Sequence, residues 1–348
     1  METDMTENNY PKINVNVISE SVLFSEKLGG IYTAFLNNVK LLKSEKSVNV
    51  YVNSLKKADI THIHSLGPFA WYKLLTSKNT VITSHWLPES SLGTYKGARL
   101  FIGLIKIYLR FFYNQADLVI ALNSKTKQDL VKLKVITRIE VLTNPIDTKV
   151  FKIDKKLREQ GRVEYDIDMS IPVILGAGQL IQRKGIGDFI QIAKMFPEWK
   201  FVWAGGSAAI KALNEESSEE MNFFNNPPKN LLLTGNVSYD KMSQLYNLAD
   251  IFLFPSYQEI APMAIIEAAA CGLPLILRNL PEYKLLYKQS YISCRDVNEF
   301  ISAIKKLIFD KKMYAIYQQK SSEIAKNFEY SKIANKLLIY YRSLLKPA

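Results

Sequence analysis

The sequence predicts an α/β protein made of two doubly wound parallel-sheet domains that face each other across a cleft. Three observations carry that expectation. The chain has 348 residues, too many for one ordinary core and comfortable for two. Short apolar, β-branched runs alternate with helix-patterned stretches along nearly its whole length, as parallel sheets buried on both faces require. Within 144–170 the alternation lapses into the charged run KIDKKLREQGRVEYD, which reads as an interdomain segment.

In chain order, the first half offers the strand candidates INVNVI (13–18), VNVYV (48–52), ITHIHS (60–65), VITSHW (81–86), DLVIAL (117–122) and IEVLTN (139–144). The second half offers PVILGAGQ (172–179), KFVWAGG (200–206), NLLLTGNV (230–237), DIFLFPS (250–256) and PLILR (274–278). The expected domains are 12–150 and 168–327. The last helix pattern, YSKIANKLLIYYRSLL (330–345), follows the second sheet, and 328–348 is expected to cross back onto the first domain. Residues 1–11 are polar and aperiodic and read as a tail. No internal repeat is present.

Hydrophobic residues at 48% and charged residues at 22% are ordinary for a globular protein, which argues against a disordered chain. The N-terminus lacks the basic and then apolar run of a signal peptide, and no uncharged apolar stretch reaches about 18 residues. Cys271 and Cys294 form no CxxC pair, which argues against a disulfide framework and against a cysteine zinc site. The expectation is a cytosolic protein. The net charge of +12 points to an anionic partner: nucleic acid, anionic lipid or a phosphate-bearing ligand.

In doubly wound sheets, ligands meet the carboxyl ends of the strands. Polar residues and glycines gather there. Gly29-Gly30 follows the first strand, and His85 ends another. Gly176, Gly178 and Gln179 end the seventh and lead to Gln182, Arg183, Lys184 and Gly185. Gly205-Gly206, Gly235-Asn236 and Glu259 end others. Glycines at a strand-to-helix turn let backbone N–H groups approach a phosphate, and Arg183 and Lys184 add two cations, so the seventh strand end reads as a diphosphate cradle. The P-loop signature is absent. G-x-G-x-x-G fails at its third glycine, where Ile181 stands, so triphosphatase and nicotinamide dehydrogenase readings lose support.

The stretch SYQEIAPMAIIEAAACGLPLIL (256–277) places Glu259 and Glu267 among residues otherwise suited to a core. A carboxylate there is costly unless something pairs with it. Pro262 suits a helix start, and Glu267 follows about one and a half turns later. One acid can meet a ligand at the helix mouth while the other reaches another part of it. Paired acceptors suit vicinal hydroxyls, and a sugar nucleotide has two such sets.

Glu259 and Glu267, followed by Cys271-Gly272-Leu273-Pro274, resemble the signature of the retaining GT-B glycosyltransferases of family 4. The similarity covers most of the chain. It takes in Gly29-Gly30, the strand ending in His85, Asn144 with Asp147 and Phe151, the Lys184-Gly185 turn, and ADIFLFPS. The resemblance implies that Glu259 contacts the donor hexose, Glu267 the ribose and Lys184 the diphosphate. His85 would lie near the transferred sugar, and Gly30 would let the backbone approach donor or acceptor. It implies a UDP-sugar donor, no cofactor and no metal, with cations and helix dipoles balancing the diphosphate. The donor site would also include Gly235 and Asn236. Where the family often has Arg, this chain has Gln179, and Arg183 is the replacement cation. Ile260 stands where the family often has Gly. Pro262 lacks an N–H, so the backbone donors come from Ala261, Met263 or Ala264.

Other classes fit less well. His62, His64 and His85 suggest a metal site, yet no Asp, Glu or Cys spacing completes one, and packing or cleft lining explains them. Glycoside hydrolysis needs both acids flanking one bond. Nucleic-acid binding would call for basic residues interleaved with exposed aromatics or a recognised module. A UDP-sugar epimerase on the same architecture is the better rival.

The acceptor is addressed by YKGARLFIGLIKIYLRFFYNQ (95–115). At about 100° per residue, Lys96, Arg99, Lys106 and Arg110 fall within an arc of about 80° on an otherwise apolar helix over 97–114. Two readings stay open: a helix at an anionic membrane surface, or a core helix with one wet stripe. DITHIHSLGPFAW, SHWLPESSLGTYKG, FFYNQADLVIALNSKT and GAGQLIQRKGIGDF resemble the diacylglycerol glycosyltransferases of Gram-positive bacteria, and more narrowly those that add a second sugar to monoglucosyl-diacylglycerol. That resemblance implies transfer from UDP-glucose or UDP-galactose to a membrane lipid, by a protein peripheral on the inner face of the cell membrane. A polysaccharide or another lipid-linked sugar is the alternative acceptor.

Overall fold

A computed structural model describes residues 12–22, 29–91, 98–206 and 227–345. The expected tail (1–11) and Lys96 lie outside the described residues. The first sheet contains β1 (Ile13–Ile18), β2 (Val48–Val52), β3 (Ile60–Ile63), β4 (Thr80–Ser84), β5 (Leu118–Ala121) and β6 (Ile139–Val141). Its spatial order is β2-β1-β3-β4-β5-β6, and every pair is parallel. The helices α1 (Gly30–Ser44), α2 (Pro68–Thr76), α3 (Ala98–Tyr113) and α4 (Ser124–Lys132) alternate with these strands.

The second sheet contains β7 (Val173–Ala177), β8 (Lys200–Ala204), β9 (Leu231–Leu233), β10 (Ile251–Phe254), β11 (Leu275–Arg278) and β12 (Ile292–Cys294). Its order is β12-β11-β10-β7-β8-β9, again all parallel. The order reverses between β7 and β10, and in the first sheet between β1 and β3. A crevice opens at the carboxyl edge of each such switch point. The strands β7, β10 and β11 are buried throughout, which explains their unbroken apolar sequences.

The charged run between the sheets is not a linker. It forms α5 (Lys155–Glu164), capped by Asp154 and packed on α7 (Tyr239–Leu248) of the second domain. Arg158 and Arg162 pair with Asp250, and Arg162 also donates to the carbonyls of Leu248, Asp168 and Ile171. Arg162 is 1% exposed, so part of the run that reads as an interdomain segment is spent on a buried network.

The remaining helices are α6 (Ile186–Lys194), α8 (Met263–Ala270), α9 (Pro281–Tyr287), α10 (Val297–Phe309), α11 (Lys311–Asn327) and α12 (Tyr330–Leu345). α12 crosses back as expected. Ile333, Ala334, Leu337, Leu338 and Tyr341 join the first-domain core formed by Val15, Val17, Phe35, Leu42 and Leu118.

α3 resolves differently from the idea of a core helix with one wet stripe. It buries Leu109, Phe112 and Tyr113 and leaves Leu100, Phe101, Leu104, Ile107 and Phe111 exposed. Arg99, Lys106 and Arg110 are exposed beside that apolar face.

Candidate active site

Two glycines bring the strand ends of the second sheet together. Gly205 has φ 141°, and a Cβ there would stand 2.0 Å from the Gly178 carbonyl oxygen, so only glycine lets the ends of β7 and β8 close up. Gly185 has φ 74°, and a Cβ would stand 2.3 Å from the Pro255 carbonyl oxygen. This presses the 182–184 turn onto the end of β10, across the switch point. The Arg183 carbonyl accepts from the Tyr257 N–H (2.8 Å) and the Ser256 hydroxyl (3.0 Å), and the Arg183 guanidinium donates to the Gln258 carbonyl (2.8 Å).

Lys184 and Glu259 meet there. The ammonium lies 2.5 Å from Glu259 Oε1, which also accepts from the Ser256 hydroxyl at 2.7 Å. Burial alone would raise the Glu259 carboxyl. The Lys184 ammonium, the Arg183 guanidinium and the bonds from Lys184 and Ser256 outweigh it and hold the acid below its ordinary value, as a carboxylate. Burial lowers the Lys184 ammonium, and Arg183 adds to that, with Glu259 opposing. The pair presents one cation and one acceptor group at the mouth of α8.

Glu267 lies one helix along, on α8, and is buried. Tyr246 on α7 donates its hydroxyl to Glu267 Oε2 at 2.7 Å. Burial raises the Glu267 carboxyl to about 7 against the opposing pull of that bond. Met263 and Ala264 are the first two residues of α8, where N–H groups have no partner within the helix. Gly235 bridges Gly205, and the Asn236 side chain accepts from the Gly206 N–H at 3.0 Å, so both stand at the joined ends of β8 and β9. Gln179 is half-buried just beyond β7.

The first domain contributes the opposite wall. Gly30 begins α1, which contacts α8, and Ala34 of α1 sits in the second domain's core cluster. His85 follows β4, buried, with Nε2 2.9 Å from His64 Nδ1. Asn123 donates to the Ile260 carbonyl (2.7 Å) and Asn144 to the Ala261 carbonyl (3.2 Å), so first-domain side chains hold the segment next to Glu259. Among the described residues, no three His, Cys, Asp or Glu side chains are grouped to hold a metal.

The structure therefore joins Lys184, Arg183 and Glu259 directly and leaves Glu267 with a different partner. Sequence reasoning missed Tyr246, Ser256, Asn123 and the bond between His64 and His85. Of these, only the HIH spacing at the end of β3 was visible as a pattern.

Two six-stranded parallel sheets with facing switch points are the architecture of the GT-B glycosyltransferases. The chain belongs to the family 4 glycosyltransferases. Residues 3–150 match the model for Glycosyltransferase Family 4, and residues 158–324 match that for Glycosyl transferases group 1. Over 95% of its length it is 31% identical to alpha-galactosylglucosyldiacylglycerol synthase of Streptococcus pneumoniae, of which it covers 89%. Over 92% of its length it is 23% identical to the processive diacylglycerol alpha-glucosyltransferase of Acholeplasma laidlawii, covering 95% of that protein. The crystal structure of HepE from Anabaena, in complex with UDP and glucose, has the same fold. Its TM-score is 0.74 at 15% identity, with 95% of this chain and all of that one aligned.

Proposed function

We propose that this protein is a retaining, metal-independent hexosyltransferase. In this reading it moves glucose or galactose from a UDP-sugar to a membrane glycolipid, either glucosyl-diacylglycerol or diacylglycerol. The second domain takes the donor. Lys184 and Arg183, with the N–H groups of Ala261, Met263 and Ala264 at the mouth of α8, balance the diphosphate charge. Glu259 accepts hexose hydroxyls, Glu267 accepts the ribose hydroxyls, and His85 lines the sugar from across the cleft. The bond from the anomeric carbon to the diphosphate breaks while the acceptor oxygen bonds that carbon on the same face. The acceptor proton passes to the departing diphosphate oxygen.

The observation that carries the lipid acceptor is α3. Its exposed apolar face, flanked by Arg99, Lys106 and Arg110, suits the interface of an anionic membrane. Tyr113 in its last turn donates to the Trp86 carbonyl at 2.7 Å, one residue after His85, so the exposed face is tied to the strand end that serves the sugar. No helix among the described residues is long and apolar enough to span a bilayer, and the proposed location is peripheral, on the inner face of the cell membrane. The names of the two curated relatives, both diacylglycerol enzymes, support this reading.

The test is an acceptor screen with UDP-glucose and UDP-galactose over diacylglycerol, glucosyl-diacylglycerol and soluble sugars, with and without EDTA. Transfer to a lipid acceptor, unaffected by EDTA, is expected. Transfer to soluble sugars alone would overturn the lipid reading. Donor conversion without acceptor would indicate an epimerase, and loss of turnover in EDTA reversed by divalent ions would overturn metal independence.

A further inference from the structure

The His64–His85 bond has a consequence for the transferred sugar. His62 and His64 stand on neighbouring inward positions of the third strand run, their rings 4.4 Å apart. His62 is satisfied at both nitrogens, by the Tyr341 hydroxyl (2.6 Å) and the Thr83 hydroxyl (2.7 Å). His64 uses only Nδ1, toward His85 Nε2 at 2.9 Å, with the two rings stacked at 5.2 Å. Its Nε2 is buried and has no hydrogen-bond partner among the described residues. Since Nε2 of His85 is taken, Nδ1 is the nitrogen that His85 can offer to a ligand.

A neutral imidazole carries one N–H, so this bond sets both tautomers at once. If His85 donated, His64 would carry its proton on Nε2, leaving a buried donor without an acceptor. If His64 donates from Nδ1, its Nε2 is a bare lone pair. A buried N–H without a partner is rarer in folded proteins than an acceptor left unfilled, so the second arrangement prevails. Burial lowers all three rings, His62 to about 3 and His85 to about 4, so neutral tautomers are the relevant states near pH 7.

We propose that His64 is a positioning residue that, by donating its Nδ1–H, fixes His85 as the Nδ1–H tautomer, so that the sugar site meets a hydrogen-bond donor. The proposal rests on the reading that His85 lines the transferred sugar. A donor there pairs with a lone pair of a hexose hydroxyl, and complements Glu259, which can only accept. The donor site then selects a hydroxyl by both of its roles, accepting at one group and donating to the other.

The chain has three histidines, so long-range proton–nitrogen correlation spectra of the full-length protein assign each ring without mutation. His85 protonated on Nδ1 is the expected result, and protonation on Nε2 would overturn the proposal. Kinetics supply the functional arm, with UDP affinity measured beside turnover. His64→Leu should lower kcat about five- to tenfold, the equivalent of one neutral hydrogen bond, with UDP affinity unchanged. His64→Asn, whose amide can donate from the place of Nδ1, should recover most of that loss. A His64→Leu protein with wild-type kcat, while His85→Ala is slow, would overturn the role of His64 alone. A His85→Ala protein with wild-type kcat would overturn the assignment of His85 itself, and with it the proposal.

Discussion

Two buried carboxylates a helix apart are handled in opposite ways. Glu259 is held as an anion by Lys184, whereas among the described residues the side chain that bonds Glu267 is a phenol, Tyr246. The sequence showed both acids, because carboxylates stand out among apolar neighbours. It could not show their partners: Lys184 is 75 residues from Glu259 and Tyr246 is 21 from Glu267, and only the β7/β10 switch point and the α7–α8 packing bring them together. The difference has a measurable consequence. The Glu267 carboxyl is raised from its ordinary 4.5 to about 7, so the folded protein binds a proton more tightly than the unfolded chain does. Its contribution to stability is fully present below about pH 4.5 and is lost as pH rises to 7, a loss of about 3 kcal/mol. A glutamine side chain at this position cannot ionise and keeps an oxygen for Tyr246. Glu267→Gln should therefore melt above wild type at pH 8, converge with it near pH 5, and bind UDP more weakly at both. Thermal melts from pH 5 to 8 beside a UDP titration check this, and parallel melting curves would show that Glu267 does not carry the strain.

Among the elements, the central strands were the most legible. VILGA, IFLF and LILR are buried on both faces and have little alternative to a parallel sheet. β12 escaped notice because ISC is three residues long, and its place is set by pairing with β11 rather than by pattern. α5 was hidden because its arginines look solvated until Asp250 is placed beside them. α3 was legible as an amphipathic helix but not in its orientation, since sequence cannot say which apolar residues a neighbouring Trp71 will cover. With Leu100 82% and Leu104 65% exposed, the uncovered face makes the sharper prediction. Changing Arg99, Lys106 and Arg110 to Gln removes cations worth about 1 kcal/mol each near an anionic surface. That variant should leave anionic vesicles in co-sedimentation, with the wild-type interaction weakened by salt. Leu100→Ser with Leu104→Ser should weaken binding at high salt as well, because apolar insertion is not screened. Both variants should keep UDP affinity and should lose more activity on bilayer acceptor than on detergent-dispersed acceptor. Wild-type indifference to anionic vesicles would sink the assignment.

At the scale of the whole molecule, the two sheets are tied together from both sides of the cleft. Asn37 of α1 accepts from Tyr239 of α7 at 2.9 Å, Lys40 lies over the Tyr239 ring, and Tyr330, where α12 returns to the first domain, donates to the same Asn37 oxygen at 2.8 Å. On the other side, Asn123 and Asn144 hold the Ile260 and Ala261 carbonyls, and Lys125 pairs with Glu282. These last contacts bear on the chemistry, because the segment they grip carries Glu259 and leads into α8. In the proposed function UDP is held by the second domain, and transfer needs His85 and the acceptor wall brought against the hexose. Loss of the grip should therefore cost turnover more than nucleotide binding. Each neutral bond contributes about 1 kcal/mol, and two of them shift the balance between gripped and released forms by about thirtyfold. Asn123→Ala with Asn144→Ala should thus lower kcat by about that factor. UDP affinity should change less than twofold, and melting should drop modestly, because Asn123 also caps α4 by accepting from the Thr126 N–H at 2.7 Å, a cap worth about 1 kcal/mol. Single-turnover rates beside UDP titration separate the outcomes. If UDP affinity falls as far as the rate, the two asparagines act by shaping the donor pocket and not by closing the cleft.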